Sequence, residues 1–258
     1  MIPQTSYVIF GVQRSGTTLL CECLKKTGLA GVPEEYFLSA EYGGPWVPEP
    51  GGEARREFIE QVLAKGTTPN GVFGINIMWN YLIEVVEKLH ELPEYSSVPR
   101  HLLLKNLFPN LHHIWMIRRD KVRQAVSWAK AGQTGIYASY QLERQEPKQK
   151  PFFDFELIDN LHHLVLEGEA GWENHFGQCS LEPYKVYYED LVVSYESKTI
   201  EVLEFLGLAA PKEFKIEDLP VKKQADAVNE EWVQKYNEMR KTQQEPGEMR
   251  RTSPRPSD

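Results

Sequence analysis

A short polar run near the N-terminus carries the groups that an anion site needs. It follows the apolar run Tyr7–Phe10 and enters the amphipathic stretch Thr17–Lys26, an order that predicts a strand, a tight turn and a helix. Its members are Gln13, Arg14, Ser15, Gly16, Thr17 and Thr18. The first N–H groups of a helix lack intrahelical acceptors and lie at the positive end of its dipole. Because glycine permits close backbone approach, arginine offers a forked cation and three hydroxyls add donors, we predict a phosphate-binding loop.

The spacing of the glycines distinguishes this loop from that of nucleoside-triphosphate enzymes. Gly11 and Gly16 keep the G-x-x-x-x-G separation, but Thr17 stands where that motif needs lysine. The missing lysine argues against a nucleoside-triphosphate-dependent small-molecule kinase. The loop could also have no ligand and simply join the strand to the helix. The run Q-R-S-G-T-T resembles the 5′-phosphosulfate loop of sulfotransferases, often P-K-S-G-T-T, with Arg14 in the lysine position.

Two adjacent carboxylates, Glu34 and Glu35, follow this loop by some twenty positions. They fit either a general base that takes a proton from a hydroxyl or the acidic first turn of a helix. The surrounding residues are similar to the G-x-P-x-E-[FY]-F stretch of the bacterial trehalose 2-sulfotransferase family. The place of Glu35 after Pro33 and before two aromatic residues implies that Glu35 is the catalytic base, with Arg14 acting beside it.

The apolar run Val72–Trp79 predicts a buried strand with Asn76 as its polar exception. It is similar to the family pattern G-V-[WF]-G-x-K-x-M-W-N, except that Asn76 stands in the lysine position. Asparagine can donate a hydrogen bond but supplies no charge. Trp79 and Asn80 fit a binding pocket, or else a core residue and a helix cap.

A second cationic cluster follows the predicted strand Ile114–Ile117. The resemblance implies that an arginine at the strand end and a serine two helical turns later hold a nucleotide 3′-phosphate. Similarity to the trehalose type favours Arg118, whereas the spacing common among sulfotransferases favours Arg119, each with Ser127. The alternative is a strand end with solvated charges. Further on, Lys223 takes the arginine position of the family's R-Q-A-D motif, which implies that Lys223 contacts the nucleotide phosphates; the alternative is a solvated basic turn.

These residues need a scaffold in which strands and helices alternate. We expect an α/β fold, a P-loop-like parallel sheet flanked by helices, in a single domain over residues 1–240 with a disordered tail at 241–258. Helical spacing is clearest at Arg55–Lys65, Tyr81–Leu89 and Phe155–Glu173. Tyr184–Tyr188 predicts a further strand, with Glu189 and Asp190 interpreted as caps before the next helix.

Composition narrows the class of protein. The chain has 258 residues, 41% hydrophobic and 26% charged, and a formal net charge of −8, which disfavours nucleic-acid binding. No stretch approaches the roughly 20 apolar residues of a membrane helix, so a cytoplasmic protein is expected. The three cysteines do not form a disulfide pattern, and neither they nor the adjacent histidines in the third strand predict a metal site.

The resemblance to the trehalose 2-sulfotransferase family covers residues 5–240. It implies transfer of the sulfuryl group of 3′-phosphoadenosine-5′-phosphosulfate (PAPS) to a hydroxyl without a metal, leaving the bisphosphate product PAP. A carbohydrate acceptor is implied, such as trehalose or a glycolipid, although the glycine- and aromatic-rich stretch at 41–52 also fits an alcohol or lipid. A homodimer is expected from the family alone. A non-catalytic nucleotide-binding protein is the second alternative, because Asn76 replaces the lysine.

Overall fold

The computed structural model describes residues 3–38, 52–137, 146–211, 213–216, 219 and 227–244. Strands and helices are interleaved along these ranges. The strands are β1 (Thr5–Gly11), β2 (Val72–Met78), β3 (Leu111–Ile117) and β4 (Tyr184–Tyr187). The helices are α1 (Thr17–Lys26), α2 (Gly52–Gly66), α3 (Trp79–His90), α4 (Leu103–Leu107), α5 (Lys121–Thr134), α6 (Phe155–Gln178), α7 (Tyr188–Val193), α8 (Tyr195–Phe205) and α9 (Ala227–Gln244), with a 3-10 turn at Arg100–Leu102.

The sheet has the order β2-β1-β3-β4, and every pairing in it is parallel. At the centre of β1, Ile9 is paired with Asn76 of β2 on one side and with Ile114 of β3 on the other. Parallel strands buried on both faces explain the near-continuous apolar runs in the sequence. The predicted α/β fold with a parallel sheet flanked by helices is confirmed.

Contacts within the chain divide it into two compact units. The first comprises residues 1–119 and 165–222, and contains the sheet. Side chains of a strand alternate between faces, and β1 follows this rule. Tyr7 and Ile9 pack in one core cluster with residues of α1, α7 and α8. Phe10 lies on the opposite face, with ring centroids 4.7 Å from Trp172 and 5.4 Å from Phe176, both in α6.

The second unit comprises residues 120–164 and 223–258. Its described core joins α5, the first part of α6 and α9, through apolar side chains such as Val126, Ile158 and Trp232. The Tyr236 hydroxyl donates to Asp159 Oδ1 at 2.6 Å, which satisfies a phenol on a buried ring. Asp120 caps α5 by accepting the N–H of Arg123 at 2.8 Å.

Local sequence patterns predicted the positions of most helices and strands. The helix predicted at Thr17–Lys26 has those bounds, and Gly28 follows it with the positive φ of 65° that a helix end favours. The strand predicted to run through Trp79 ends at Met78, because Trp79 already belongs to α3. The boundary at residue 240 and the tail at 241–258 stay predictions, since residues 245–258 lie outside the described ranges.

Candidate active site

The carboxyl ends of the strands bring the predicted residues of the first unit to one edge of the sheet. In open parallel sheets this edge is where ligands bind. The polar loop follows β1 at Gly11, Trp79 follows β2, and Arg118 follows β3 at Ile117. Residues separated by about a hundred positions in the chain therefore become neighbours.

The loop after β1 has the backbone geometry of an anion site. Arg14 has a φ of 65° and Gly16 a φ of 105°. The Ser15 N–H closes a tight turn by donating to the Val12 carbonyl at 3.0 Å, and the helical hydrogen bonds begin with Leu20 N–H to Gly16 O at 3.1 Å. Helical N–H groups before Leu20 have no intrahelical acceptor, and they lie at the positive end of the α1 dipole. The loop therefore fits an oxyanion.

The hydroxyls of this loop do not share one environment. Ser15 and Thr17 are buried, whereas Thr18 is partly exposed. Thr17 Oγ1 contacts the Met78 sulfur at 4.0 Å. Ser15 Oγ is buried without a hydrogen-bond partner among the described residues, and a Cβ on Gly11 would lie 2.9 Å from it. Ser15 and Thr17 thus support the loop from the sheet side, and an unsatisfied donor lies at its base.

Gly16 is needed where the loop packs against the neighbouring strands. A Cβ at this position would lie 2.6 Å from the Tyr188 ring and 2.9 Å from Met116 Cε. Tyr188 also contacts Arg118, whose guanidinium lies 4.6 Å from the ring centroid. Arg118 is buried, and its Nη1 donates to the Arg14 carbonyl at 3.3 Å. Arg118 is therefore positioned against the loop itself.

Arg119 is held differently. Its backbone N–H lies 3.0 and 3.1 Å from the two carboxylate oxygens of Glu189, and its guanidinium donates twice to Asp190, at 2.6 and 2.8 Å. The guanidinium also lies 4.0 Å from the Tyr187 ring centroid. The hydrogen bonds from Arg119 lower the pKa of Asp190. Glu189 and Asp190 were interpreted as caps of a later helix, but they lie in the first turn of α7 and fix the end of β3.

The two neighbouring glutamates have separate partners. The residues around Glu34 and Glu35 are not helical, so the alternative of an acidic first helical turn is wrong. The Asn76 N–H donates to the Glu34 carbonyl at 3.0 Å, which joins this segment to β2. The Glu34 carboxylate forms ion pairs with Lys25 at 3.2 Å and Lys65 at 3.4 Å.

Glu35 instead lies against neutral donors. Tyr81 Oη donates to Glu35 Oε2 at 3.3 Å, and Asn76 Nδ2 donates to Oε1 at 3.4 Å. Burial raises the pKa of Glu35 to about 6, against the opposing effects of the Tyr81 hydrogen bond and the Arg14 charge. A carboxylate with this pKa is ionised at neutral pH and basic enough to accept a proton. The amide that replaces the family's lysine thus donates to Glu35 without adding charge.

Trp79 and Asn80 contact different parts of the first unit. The Trp79 ring packs edge-on against Trp172 with centroids 5.1 Å apart, and a Cβ on Gly171 would lie 2.2 Å from it. Asn80 lies within α3, so its interpretation as a helix cap is wrong; its Oδ1 accepts a hydrogen bond from Gln13. Trp172 Nε1 donates to the Gly11 carbonyl at 2.8 Å, which fixes the entrance to the loop.

Two of the predicted site residues are not among the described residues of the first unit. Ser127 belongs to the second unit, where it is buried in α5. Lys223 lies outside the described residues, as do residues 41–51 of the stretch 41–52 that was predicted to line a pocket. In the part of the chain that the structure covers, no group of three or more His, Cys, Asp or Glu side chains could hold a metal ion. No described helix is long and apolar enough to cross a membrane.

Sequence reasoning overlooked Tyr81, Tyr188 and Trp172. Tyr81 occupies the buried face of α3, where helical periodicity predicts core residues, and its contact with Glu35 crosses 46 positions. The sequence did contain a signal for Tyr188, because an aromatic residue and two acidic residues directly after a strand indicate a place at the site edge of the sheet. Trp172 gave none, since its partner Gly11 is 161 positions away.

A loop that fits an oxyanion, a neighbouring arginine and a partly buried carboxylate lie in the unit whose parallel sheet ends at this edge, and such groups suit a group-transfer enzyme. The chain belongs to the Stf0 sulphotransferase family, whose model matches residues 6–239. One match running through both units supports the expected single sulfotransferase domain. The protein is therefore a transferase that transfers sulfuryl groups, as its sequence predicted.

Curated relatives agree with this assignment. The trehalose 2-sulfotransferase of Mycolicibacterium smegmatis is 30% identical, over 90% of this chain and 94% of its own length. The trehalose 2-sulfotransferase of Mycobacterium tuberculosis is 26% identical, over 89% of this chain and 93% of its own. Among solved structures, a sulfotransferase domain from the curacin biosynthetic pathway aligns with 82% of this chain and 77% of its own, with a TM-score of 0.46 and 14% identity.

Proposed function

We propose that this enzyme transfers the sulfuryl group of PAPS to a hydroxyl of a carbohydrate, with Glu35 as the general base. The observation that carries the proposal is the environment of Glu35, a partly buried carboxylate whose pKa is raised to about 6. The carboxylate of Glu34, one residue earlier, forms ion pairs with Lys25 and Lys65. This contrast supports Glu35 as the proton acceptor.

The loop after β1 would bind the 5′ end of the donor. PAPS supplies the sulfuryl group and leaves as PAP, so negative charge grows on the leaving phosphate oxygen. The N–H groups at the start of α1 and the guanidinium of Arg14 are suited to that charge. Gln13 and Thr18, both partly exposed, add polar groups at the rim of the loop.

The 3′-phosphate is assigned to the arginines after β3 together with Ser127, and Lys223 is assigned to the nucleotide phosphates as predicted from the sequence. Arg118 is the preferred ligand of the 3′-phosphate, because its guanidinium contacts the loop at the Arg14 carbonyl. Arg119 is the second choice for that ligand, because two of its guanidinium donors already bind Asp190. Guanidinium forks match the oxygens of a phosphate dianion, which supports both assignments.

Glu35 would remove the proton of the acceptor hydroxyl as that oxygen bonds to sulfur. The bond from sulfur to the 5′-phosphate oxygen breaks in the same displacement, and the proton remains on Glu35. Holding donor and acceptor in line supplies much of the rate, so the protein's main task is positioning and charge stabilisation. Asn76 is uncharged, so cationic help at the sulfuryl group is assigned to Arg14.

The acceptor is proposed to be trehalose or a glycolipid, because the chain is similar to two trehalose 2-sulfotransferases over most of its length. The test incubates the purified protein with radiolabelled PAPS and a panel of sugars, glycolipids and simple alcohols. We expect label on a carbohydrate hydroxyl and release of PAP. Label confined to an alcohol or free lipid would contradict the acceptor class.

Calorimetry separates the rival activities. PAP should bind, whereas ATP with magnesium should not, because the loop has Thr17 in the lysine position. Tight binding of magnesium ATP would favour a kinase. Binding of PAP without transfer to any hydroxyl would favour a non-catalytic nucleotide-binding protein. We also propose a cytoplasmic location, as expected from the apolar pattern of the sequence, and a homodimer, as expected from the family; cell fractionation and light scattering test them.

A further inference from the structure

We propose that Tyr81 is a positioning residue that holds the ionised Glu35 carboxylate and turns its hydroxyl to the Asn76 backbone carbonyl once Glu35 has taken the acceptor's proton. The inference rests on the proposed role of Glu35 as the base. Tyr81 Oη lies 3.3 Å from Glu35 Oε2 and 3.3 Å from the Asn76 carbonyl oxygen. A phenol has one proton to donate, so it serves one of these acceptors at a time.

Besides these two acceptors, the Tyr81 hydroxyl has a hydrogen bond with the backbone of Met78, at the start of its own helix. The side chain is buried in α3, and the Asn76 carbonyl belongs to β2, so both are fixed by regular secondary structure. Glu35 lies on the connecting segment that the Glu34 carbonyl fastens to the Asn76 N–H. Tyr81 therefore has a fixed position from which to orient a carboxylate that no helix or strand holds.

Several other groups near Glu35 also affect the charge on its carboxylate, and Tyr81 acts together with them. From the phosphate loop, Arg14 favours the ionised carboxylate, and from α1 the buried Cys21 thiol lies within electrostatic reach of it. Asn76 Nδ2, from β2, binds the other carboxylate oxygen at 3.4 Å as a neutral donor. Burial raises the pKa of Glu35, and the Tyr81 hydrogen bond acts with Arg14 to restrain that rise.

Proton transfer changes the hydrogen bonds that the Glu35 carboxyl group accepts. The ionised carboxylate accepts hydrogen bonds from both Tyr81 and Asn76. After Glu35 takes the acceptor's proton, as the new bond to sulfur forms and the bond to the donor phosphate breaks, its oxygens are weaker acceptors. The Asn76 carbonyl, at the same distance, then takes the Tyr81 hydrogen bond. The buried phenol is satisfied before and after the transfer, which avoids the cost of an unpaired buried donor.

Tyr81→Phe removes the hydroxyl and keeps the ring. We expect the acid limb of the kcat against pH profile to move upward by roughly one to two pH units, since a hydrogen bond to a charged group is lost. Turnover at pH 6 should fall about fivefold to fiftyfold, and the loss should shrink toward pH 9 as Glu35 becomes fully ionised. A merely structural role would lower turnover at every pH and leave the limb in place.

Tyr36→Phe is the matched control. Tyr36 is also buried and lies next to Glu35 in the chain, but its hydroxyl donates to the Val32 carbonyl at 2.7 Å. Its removal should cost similar stability without moving the acid limb. Thermal unfolding of both variants verifies that they are folded before the profiles are compared.

The outcomes separate this inference from the proposed function. A limb that stays at the parent position in folded Tyr81→Phe overturns the inference and leaves Glu35 as the base. The Glu35→Gln variant should lose the limb altogether. If its residual turnover keeps the parent limb, both the base assignment and the role of Tyr81 are overturned. The inference is supported when the limb moves in Tyr81→Phe, stays in Tyr36→Phe and disappears in Glu35→Gln.

Discussion

Arg118 Nη1 donates to the backbone carbonyl of Arg14 at 3.3 Å, so a side chain that leaves β3 contacts the loop that leaves β1. Tyr188, the residue after β4, packs on the Arg118 guanidinium and lies next to Gly16 of the loop. One arginine therefore connects the ends of three strands. A nucleotide bound by the loop would lie beside a cation whose position the sheet has already determined.

The first prediction concerns the two arginines. Arg118→Gln should weaken PAP binding by roughly tenfold to a hundredfold, because a charge-assisted hydrogen bond is worth about 1.5–3 kcal/mol. Adenosine 5′-monophosphate, which lacks the 3′-phosphate, should lose much less affinity. Arg119→Gln should weaken PAP less than Arg118→Gln does, since Asp190 already engages its guanidinium. Calorimetry with both nucleotides measures this, and equal losses for PAP and the monophosphate would contradict the clamp.

The second prediction concerns the backbone of the loop. Gly16→Ala puts a Cβ at a φ of 105° and within 2.6 Å of the Tyr188 ring. We expect a loss of about 2 kcal/mol or more in unfolding free energy and at least a tenfold loss of PAP affinity. Gly132→Ala is the control, because a Cβ there meets nothing within 4 Å and the residue lies inside α5. It should gain about 0.5–1 kcal/mol in urea unfolding. Unchanged stability of Gly16→Ala would show that the loop tolerates a side chain.

The acid limb of the parent enzyme gives the third prediction. Glu35 must be ionised to accept a proton, and burial raises its pKa to about 6. Turnover should therefore rise with pH through about 6 and level off above it. Initial rates at saturating substrates from pH 5 to 9 measure this. A limb near pH 4, the range of an ordinary exposed glutamate, would contradict the buried environment.

The same pKa shift carries a cost in stability, which is the fourth prediction. A raised folded-state pKa means that the folded protein binds the proton more tightly, so stability falls as pH rises from the ordinary 4.5 to about 6 and stays lower above. Allowing for partial solvent screening, the cost above pH 6 is about 1–2 kcal/mol. Glu35→Gln should thus gain stability relative to the parent at pH 8, and the difference should shrink by that amount near pH 4.5. A difference independent of pH in urea unfolding would argue against the shift.

Local patterns in the sequence were enough for the scaffold and part of the site. The loop and α1 follow from an apolar run, two glycines and an amphipathic helix over some twenty residues, and the structure has α1 at the expected bounds. The assignment of Arg118 to a nucleotide phosphate came instead from resemblance to the sulfotransferase family, and the parallel sheet brings Arg118 to the same edge as the loop. The first inference depends on periodicity and the second on a family pattern, and both are visible in one sequence.

Contacts between distant positions were not predictable in this way. Helical spacing gives Tyr81 the appearance of a core residue, and only the fold shows that its hydroxyl reaches Glu35. Asp190 looked like a helix cap because an acid near a helix start is common, whereas its strongest partner is Arg119, 71 positions earlier. The division between Glu34 and Glu35 likewise depends on lysines from α1 and α2.

The central claim is that Glu35 accepts the proton of the acceptor hydroxyl, and turnover of Glu35→Gln beside Glu34→Gln tests it most directly. At pH 8 with saturating PAPS and acceptor, Glu35→Gln should turn over on the order of a hundredfold more slowly or worse, with PAP affinity unchanged. Glu34→Gln, which only disrupts the exposed ion pairs with Lys25 and Lys65, should stay within a few-fold of the parent. Parent-like turnover in Glu35→Gln would contradict the account.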